Sequence, residues 1–315
     1  MSEKRIYTKS ELTRRREKIV SFIILAIVCL AWILPIIYMI GNSFKSDMDL
    51  QMHPETLFPT SFREWTFKHY DGFLIRDGQL DNMPKWMFNS LWSTALTVIL
   101  TVLIDAITAY ALIFMDFKGK RTFYKFLLVW MAVPGIIGTS SSFAYYAEIK
   151  KMINDMLIAA NATAELTETI NYFYIYFWLI VPGTTGIFNV LLMRNFFASI
   201  PMEIIESARS DGATNRQIFR KIVMPLAKST VMLIVLFSFV GSWNSLQFPQ
   251  LLLSGEQTGW NTVTVALAGF TGGSAWGMKG QSMATSVFAS IPILIIFMIT
   301  QDKMIDGLAS SGVKH

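Results

Sequence analysis

The sequence contains a single cysteine, Cys29, so no disulfide can close within the chain and no cysteine-based metal site can form. Its three histidines, His53, His69 and His315, are too scattered for the ligand spacing of a zinc site. Charge is scarce: 16% of the 315 residues are charged, against 53% hydrophobic. Soluble domains of this length seldom manage with so little charge, and long apolar runs belong to membrane proteins. There is no G-x-x-x-x-G-K-[ST] segment to cradle a phosphate. Nor is there a Ser/His/Asp or paired-carboxylate constellation for catalysis. The chain is therefore expected to hold no metal and no cofactor, and not to be an enzyme.

What the sequence has instead is apolar length. A membrane helix needs about 20 mostly apolar residues, because a hydrocarbon layer of about 30 Å is crossed at about 1.5 Å per residue. Six stretches qualify: Ile19–Ile40, Asn89–Phe114, Phe126–Tyr146, Asn171–Met193, Ser229–Leu253 and Ser282–Thr300. The second carries one charge, Asp105, and the others none. Pro35, Pro134, Pro182, Pro249 and Pro292 fall inside them, which membrane helices tolerate where neighbours satisfy the freed carbonyls. The first run reads as a span rather than a cleaved signal, since its leader is long and charged and no A-x-A site follows. The expected architecture is an all-α polytopic membrane protein with six transmembrane helices over residues 19–300, flanked by tails at 1–18 and 301–315.

The net charge of +5 is distributed between the apolar runs rather than gathered on one patch, which excludes a nucleic-acid partner and points to orientation in a bilayer. With the N-terminus inside, Lys4 through Lys18, Lys118–Lys125, Arg194–Lys228, Lys303 and Lys314 all face the cytoplasm. Only Lys45, Arg63, Lys68, Arg76, Lys85, Lys150, Lys151 and Lys279 of the 27 basic residues are left for the other side. Both termini are thus expected in the cytoplasm. The outer side receives the loops Phe44–Phe88, Ala147–Ile170 (with a formal sequon at Asn161) and Ser254–Gln281. The last is rich in Gly and Trp: Trp260, Gly272, Gly273, Trp276 and Gly277. Such a loop suits either a lid or an interfacial belt.

The segment 199–225 reads as two short helices around a glycine. Pro201 suits a first helical turn, and Glu203 favours the positive end of the dipole. Ile204, Ile205 and Ala208 fall on one face. Gly212 can take the left-handed conformation that ends a helix. Thr214 and Gln217 match a capping box for a second helix, whose apolar face is Ile218, Phe219, Ile222 and Val223. By pattern alone this is also an interfacial hairpin lying on lipid.

The order Glu206-Ser207-Ala208, then Asp211-Gly212-Ala213, then Ile222 and Pro225 resembles the EAA loop of ATP-binding-cassette importer permeases. Ser207 stands where that pattern has alanine, and Met224 where it has leucine, with the spacing intact. Phe88-Asn89-Ser90, Phe117-Lys118-Gly119-Lys120, Arg194-Asn195-Phe196-Phe197, Trp243-Asn244 and the tail Asp306-Gly307-Leu308 to Gly312-Val313-Lys314 extend the likeness along nearly the whole chain. Together they are similar to the six-span permeases of the maltose transporter and related carbohydrate importers. The resemblance implies import of a small solute, most readily a sugar or oligosaccharide, across a bacterial or archaeal inner membrane. It implies a homologous second permease, two cytoplasmic ATP-binding subunits that use the ATP, and an extracytoplasmic solute-binding protein. It implies a coupling role for Glu206, Ala208, Asp211, Gly212, Ile222 and Pro225.

Inside the bilayer, Asp105 lies about 14 Å from the cytoplasmic end of its span, a costly site that by default marks function; hydrogen-bonded packing is the other reading. Trp243 and Asn244 sit midway along the fifth span with Gln247 near. An indole face and amides suit the C–H patches and hydroxyls of a sugar, and equally suit helix–helix hydrogen bonds. The resemblance implies that this stretch lines the pathway. An ion-coupled carrier would call for inverted repeats and more than one midplane acid. A membrane enzyme would need a reactive constellation, and a scaffold would not need the 206–225 spacing.

The charge distribution generates a direct test. In a Cys29→Ser background, a cysteine at Ser61 should react with an impermeant thiol reagent on intact cells, and one at Ser210 only after permeabilisation. Labelling of position 210 on intact cells reverses the orientation.

Overall fold

The computed structural model describes residues 9–70, 83–271 and 279–312. Among them the regular structure is helical, with one isolated bridge between Lys45 and Trp65 and no strand. The chain forms two compact units, Met1–Gly78 with Phe270–Phe288, and Gln79–Gly269 with Ala289–His315.

The first unit begins with α1 (Lys9–Ser43). Within Arg16–Ser43 an 18-residue stretch reaches a mean hydropathy of 2.9 and is wholly unburied; Phe22, Leu30 and Trp32 stand outward, and burial begins only at Gly41–Ser43. A helix this apolar on all sides has lipid or another chain as its solvent. The residues after it, expected as an outer loop, fold into a small cap around α2 (Asp47–Met52) and the 3₁₀ turns Phe62–Glu64 and Lys68–Tyr70. Phe44 anchors it, with ring contacts to Trp65, Phe67 and Tyr70. Lys45 is fully buried. All three of its ammonium protons find oxygens: the His53 carbonyl at 2.9 Å, the Thr56 carbonyl at 2.7 Å and the Thr56 hydroxyl at 2.6 Å. Burial pushes this ammonium below the ordinary lysine range, while Asp49 and Glu55 pull it back up. Asp49 ties the far end of the cap, accepting from the Thr60 N–H and hydroxyl.

The second unit is built around α3 (Met83–Phe114), which packs mainly along α7 (Ile187–Ala198) and α11 (Lys228–Trp243). Its polarity is inverted relative to a soluble helix. Ser90, Ser93, Thr94, Thr97 and Thr101 are buried, whereas Leu91, Leu96, Ile99, Leu103 and Ile107 are exposed. The buried set recurs every three or four residues and so forms one stripe. Part of the stripe satisfies itself along the helix: Ser93 donates to the Asn89 carbonyl at 2.6 Å and Thr97 to the Ser93 carbonyl at 2.9 Å. Small hydroxyl residues at a helix interface with aliphatics outward are the pattern of a membrane bundle.

The spans Ile19–Ile40, Asn89–Phe114 and Ser282–Thr300 fall within α1, α3 and α14 (Lys279–Gly312). The other three are not straight. Phe126–Tyr146 is divided between α4 (Lys120–Met131) and α5 (Ile136–Ala159), bent by 99°. Pro134 lies in the break; it supplies no N–H and disfavours helical geometry in the residue before it. Asn171–Met193 is divided between α6 (Ala164–Ile180) and α7, bent by 45° after Pro182. Ser229–Leu253 ends its first helix at Trp243, and α12 (Gln247–Leu253) starts afresh. Counting each bent pair once, the helices allow up to six crossings by length and composition. The expected loop Ala147–Ile170 is mostly helix, with its turn confined to 160–163. Thr163 caps α6 there by accepting from the Leu166 N–H. Of the expected Gly/Trp loop, Thr258–Trp260 is a 3₁₀ turn and Val263–Thr271 is helix α13. Gly272, Gly273, Trp276 and Gly277 lie outside the described residues, as do Val313 and Lys314.

The Lys45 hub predicts the behaviour of the cap. Lys45→Met keeps the side chain's length and removes the three hydrogen bonds that hold 53–56 to the cap, at about 0.5–1.5 kcal/mol each. Protease should then cut the 53–63 segment faster, with membrane insertion of α1 unchanged.

Candidate functional site

Two features of the second unit gather the residues that the sequence singles out. The first is the hairpin after α7. Helix α8 (Met202–Ser210) ends in a Schellman motif, with Gly212 at φ +82°. Its N–H reaches the Arg209 carbonyl and the Ala213 N–H the Ala208 carbonyl, both at 3.0 Å. No side chain sits easily at that φ, so glycine is the fitting residue. The next helix, α9 (Asn215–Ile218), opens with both bonds of a capping box. Thr214 accepts from the Gln217 N–H at 3.3 Å, and Gln217 accepts from the Thr214 N–H at 2.8 Å. A π-helical turn, Phe219–Val223, then leads into α10 (Met224–Leu226). Pro225 accounts for that turn: it offers no N–H to the carbonyl four residues back, and the Met224 N–H reaches the Phe219 carbonyl five residues back instead. Asn215–Leu226 meets α11 at 80°.

The hairpin is fixed to the bundle by its apolar side. Ile205, Ile218, Val223 and Ala227 share one buried cluster with Tyr110 and Phe114 of α3 and with Met193 and Phe197 of α7. The Arg209 guanidinium donates to the Phe114 carbonyl at 2.7 Å, supplying a cation to the open C-terminal end of α3. Among the six residues of the EAA-like pattern, Ala208 and Ile222 pack against this cluster, while Glu206, Asp211, Gly212 and Pro225 face outward. Ile204, expected on the apolar face, is exposed, and Pro201 precedes the helix as its N-cap rather than occupying its first turn.

The second feature is a cavity of about 390 Å³. The hydroxyl stripe of α3 forms one wall. The break between α6 and α7 forms the second, with Pro182, Gly183, Gly186 and Asn189. Ser238, Ser242 and Trp243 of α11 form the third, and Thr262 with Thr264 closes one end. Among the described residues, no charged side chain lines it. Hydrogen bonds join the walls: Ser242 donates to the Thr94 hydroxyl at 3.3 Å and the Asn189 amide to the Ser238 hydroxyl at 3.2 Å. A Cβ at Gly186 would come within 2.7 Å of the Asn189 amide nitrogen, so a side chain there would displace that amide. The Thr101 hydroxyl is buried and has no partner among the described residues.

Trp243 lines this cavity with its ring stacked on Phe239 at 5.7 Å, and its indole N–H donates to the Ala289 carbonyl at 3.0 Å. Asn244 and Gln247 are exposed and do not line the cavity, because α11 ends at Trp243 and the backbone turns there. Asp105 is fully buried one helical turn beyond Thr101. The Gly186 N–H and the Asn189 amide are the donors nearest its carboxyl, and among the described residues neither oxygen has a hydrogen bond of good geometry. The cavity wall that the sequence reading passed over is the α3 stripe. Its signal was present as hydroxyl residues at helical spacing inside an apolar run.

Comparison with known proteins follows the same lines. The family described as binding-protein-dependent transport system inner membrane component matches residues 106–308. The diacetylchitobiose uptake system permease protein of Streptomyces coelicolor is 28% identical over 284 residues, covering 90% of this chain and 92% of its own. The arabinooligosaccharides transport system permease protein of Bacillus subtilis is 26% identical, with 90% and 92% covered. The maltose/maltodextrin transport system permease protein of Vibrio vulnificus is 24% identical, with 90% of each covered. In fold, the chain is similar to one in the crystal structure of a bacterial ABC transporter involved in import of the acidic polysaccharide alginate. There the TM-score is 0.68 at 21% identity, over 95% of this chain and 99% of that one.

The hairpin separates backbone demands from surface chemistry. Gly212→Val should cost about 1 kcal/mol or more at its positive φ and speed proteolysis between Arg209 and Arg216 in inside-out vesicles. Glu206→Ala, on the exposed side, should leave the cleavage rate unchanged.

Proposed function

The chain belongs to the family of binding-protein-dependent transport system inner membrane components, and on that premise we propose that it is a permease subunit of an ATP-driven importer for a neutral oligosaccharide. The observation that carries the choice of solute is the cavity: hydroxyls, one amide and an indole ring share its lining with Leu179, Pro182, Phe248 and Pro249, and no charge lines it among the described residues. Hydroxyls and amides exchange hydrogen bonds with a sugar's hydroxyls, and an indole edge or face packs against its C–H surface. An anionic solute would have to leave water without a cation to meet it, a cost that uncharged walls cannot offset. The relatives named for diacetylchitobiose, arabinooligosaccharides and maltodextrin fit the same reading.

In this reading the membrane orientation has both termini and the 199–225 hairpin in the cytoplasm. The exposed residues Glu206, Asp211 and Gly212 meet a cytoplasmic ATP-binding subunit, which hydrolyses the ATP. The cluster beneath them carries the subunit's movement into α3, α7 and α11. A second, homologous permease covers part of the apolar surface and supplies the other half of the pathway, and an external solute-binding protein delivers the sugar. Trp243 belongs to the pathway wall, whereas Asn244, just past the end of α11, and Gln247, at the start of α12, are exposed outside the cavity.

Thr101 provides the decisive variant. Thr101→Val conserves volume and removes a buried hydroxyl that has no hydrogen-bond partner among the described residues, so stability should be unchanged or improved. With a sugar bound, one hydrogen bond of about 0.5–1.5 kcal/mol is lost, and the apparent uptake affinity should fall about two- to tenfold. Basal ATP hydrolysis by the co-purified complex should survive, and sugar-stimulated hydrolysis should need higher sugar. An unaltered affinity, or co-purification with no ATPase subunit, overturns the reading.

A further inference from the structure

At the end of α3 remote from the hairpin lies a second cavity, of about 490 Å³. Three aromatic side chains, Phe88, Tyr172 and Trp260, share it with Lys85, Glu168 and Gln257. Phe88 is 65% exposed, a large apolar surface left open beside polar groups. Lys85 and Glu168 face the same space with opposite charge, and neither belongs to an ion pair among the described residues. The cavity therefore offers one cationic donor and one anionic acceptor with no net preference for either sign.

Its wall is held before any ligand arrives. Four successive carbonyls, Thr258 to Asn261, are each clamped from a neighbouring helix. Trp86 donates to Thr258 at 2.6 Å, the Asn89 amide to Gly259 at 3.0 Å and to Asn261 at 3.1 Å, and the Tyr176 hydroxyl to Trp260 at 2.8 Å. The Tyr172 hydroxyl donates to the Asn89 side-chain oxygen at 2.9 Å, and the rings of Tyr172 and Trp260 meet edge to face at 5.7 Å. An aromatic ring fixed in this way loses little entropy when something stacks on it. The clamped turn also divides the space: Ser90 and Thr262 face the first cavity, Trp260 and Gln257 the second.

We propose that this second cavity is a separate binding site for a sugar unit of a neutral oligosaccharide, in tandem with the first across the 258–262 turn. The rings of Trp260 and Phe88 take the C–H face of the sugar. The Lys85 ammonium donates to its hydroxyl oxygens, the Glu168 carboxylate accepts from its hydroxyl protons, and the Gln257 amide does both. The inference rests on the reading that the solute is a sugar.

The test follows labelling of Gln257→Cys by a maleimide, in a Cys29→Ser background, on the assembled complex in nanodiscs, where both faces are open to reagent. The probes are short neutral oligosaccharides of hexose, pentose or N-acetylhexosamine units, whose uptake is measured in cells in parallel. An imported sugar should slow labelling saturably. Thr97→Phe, which plugs the first cavity, should abolish uptake and leave protection intact. Trp260→Ala should raise the half-protecting concentration about tenfold, a change of 1.4 kcal/mol, and Trp260→Phe should restore most of it. Protection that vanishes with Thr97→Phe overturns the second site. So does import of a sugar that gives no protection, which leaves the sugar reading standing. If no probe is either imported or protective, the sugar reading itself fails and this inference with it. Labelling that responds to replacing phosphatidylethanolamine by phosphatidylglycerol and to no sugar assigns the cavity to a lipid headgroup and overturns the proposal.

Discussion

A helix surrounded by hydrocarbon has no water to receive its polar side chains, so each must find a protein partner or an internal space. Helix α3 carries Ser90, Ser93, Thr94, Thr97 and Thr101 on one stripe, and much of the second unit can be understood as the means of housing them. Aliphatic residues on the outward side leave the stripe no choice of direction. The α6–α7 break and α11 approach it with small residues, Gly183, Gly186, Ser238 and Ser242, and close a polar chamber. The chamber is only partly self-satisfied. Bonds such as Ser242 to Thr94 join its walls, while Thr101 keeps an unused hydroxyl. A surface that has not exhausted its own hydrogen bonds can give them to a passing solute at little cost to the fold.

The hairpin answers a different demand. It is attached to the bundle and still keeps charged side chains exposed, and the sequence separates the two by face. Ile205, Ile218 and Val223 are buried with Tyr110, Phe114 and Phe197; Glu206 and Asp211 are turned out. The Schellman motif, the capping box and the Arg209–Phe114 bond satisfy the backbone groups that two short helices leave open. Helices this short would not persist on propensity alone.

Features with a local cause were legible in the sequence. Gly212 and the Thr214–Gln217 pair obey rules that operate within four residues, and the structure places them as those rules require. Apolar length located the spans but not their direction, because hydropathy is a sum and does not register a change of axis. The 99° bend after Met131 therefore read as one crossing, although Pro134-Gly135 marked the spot. The same blindness set Asn244 in the middle of a helix when it lies at the end of one. The cap at 44–70 was beyond reach for another reason: its centre is a buried lysine held by carbonyls that are 8 and 11 residues away, a pairing no periodicity announces.

The elbow at Pro225–Ala227 gives the second unit a mechanical property. The turned segment Asn215–Leu226 and α11 are consecutive in the chain, meet at 80° and share Val223 and Ala227 with one packed core. They have the geometry of the two arms of a bell crank. The 16 residues of α11 make the longer arm, about 24 Å at about 1.5 Å per residue, and Ser238, Ser242 and Trp243 sit on its outer half. A tilt of about 5° at the elbow displaces the tip by about 2 Å over that length. Such a displacement is enough to part Ser242 from Thr94 and change the width of the chamber.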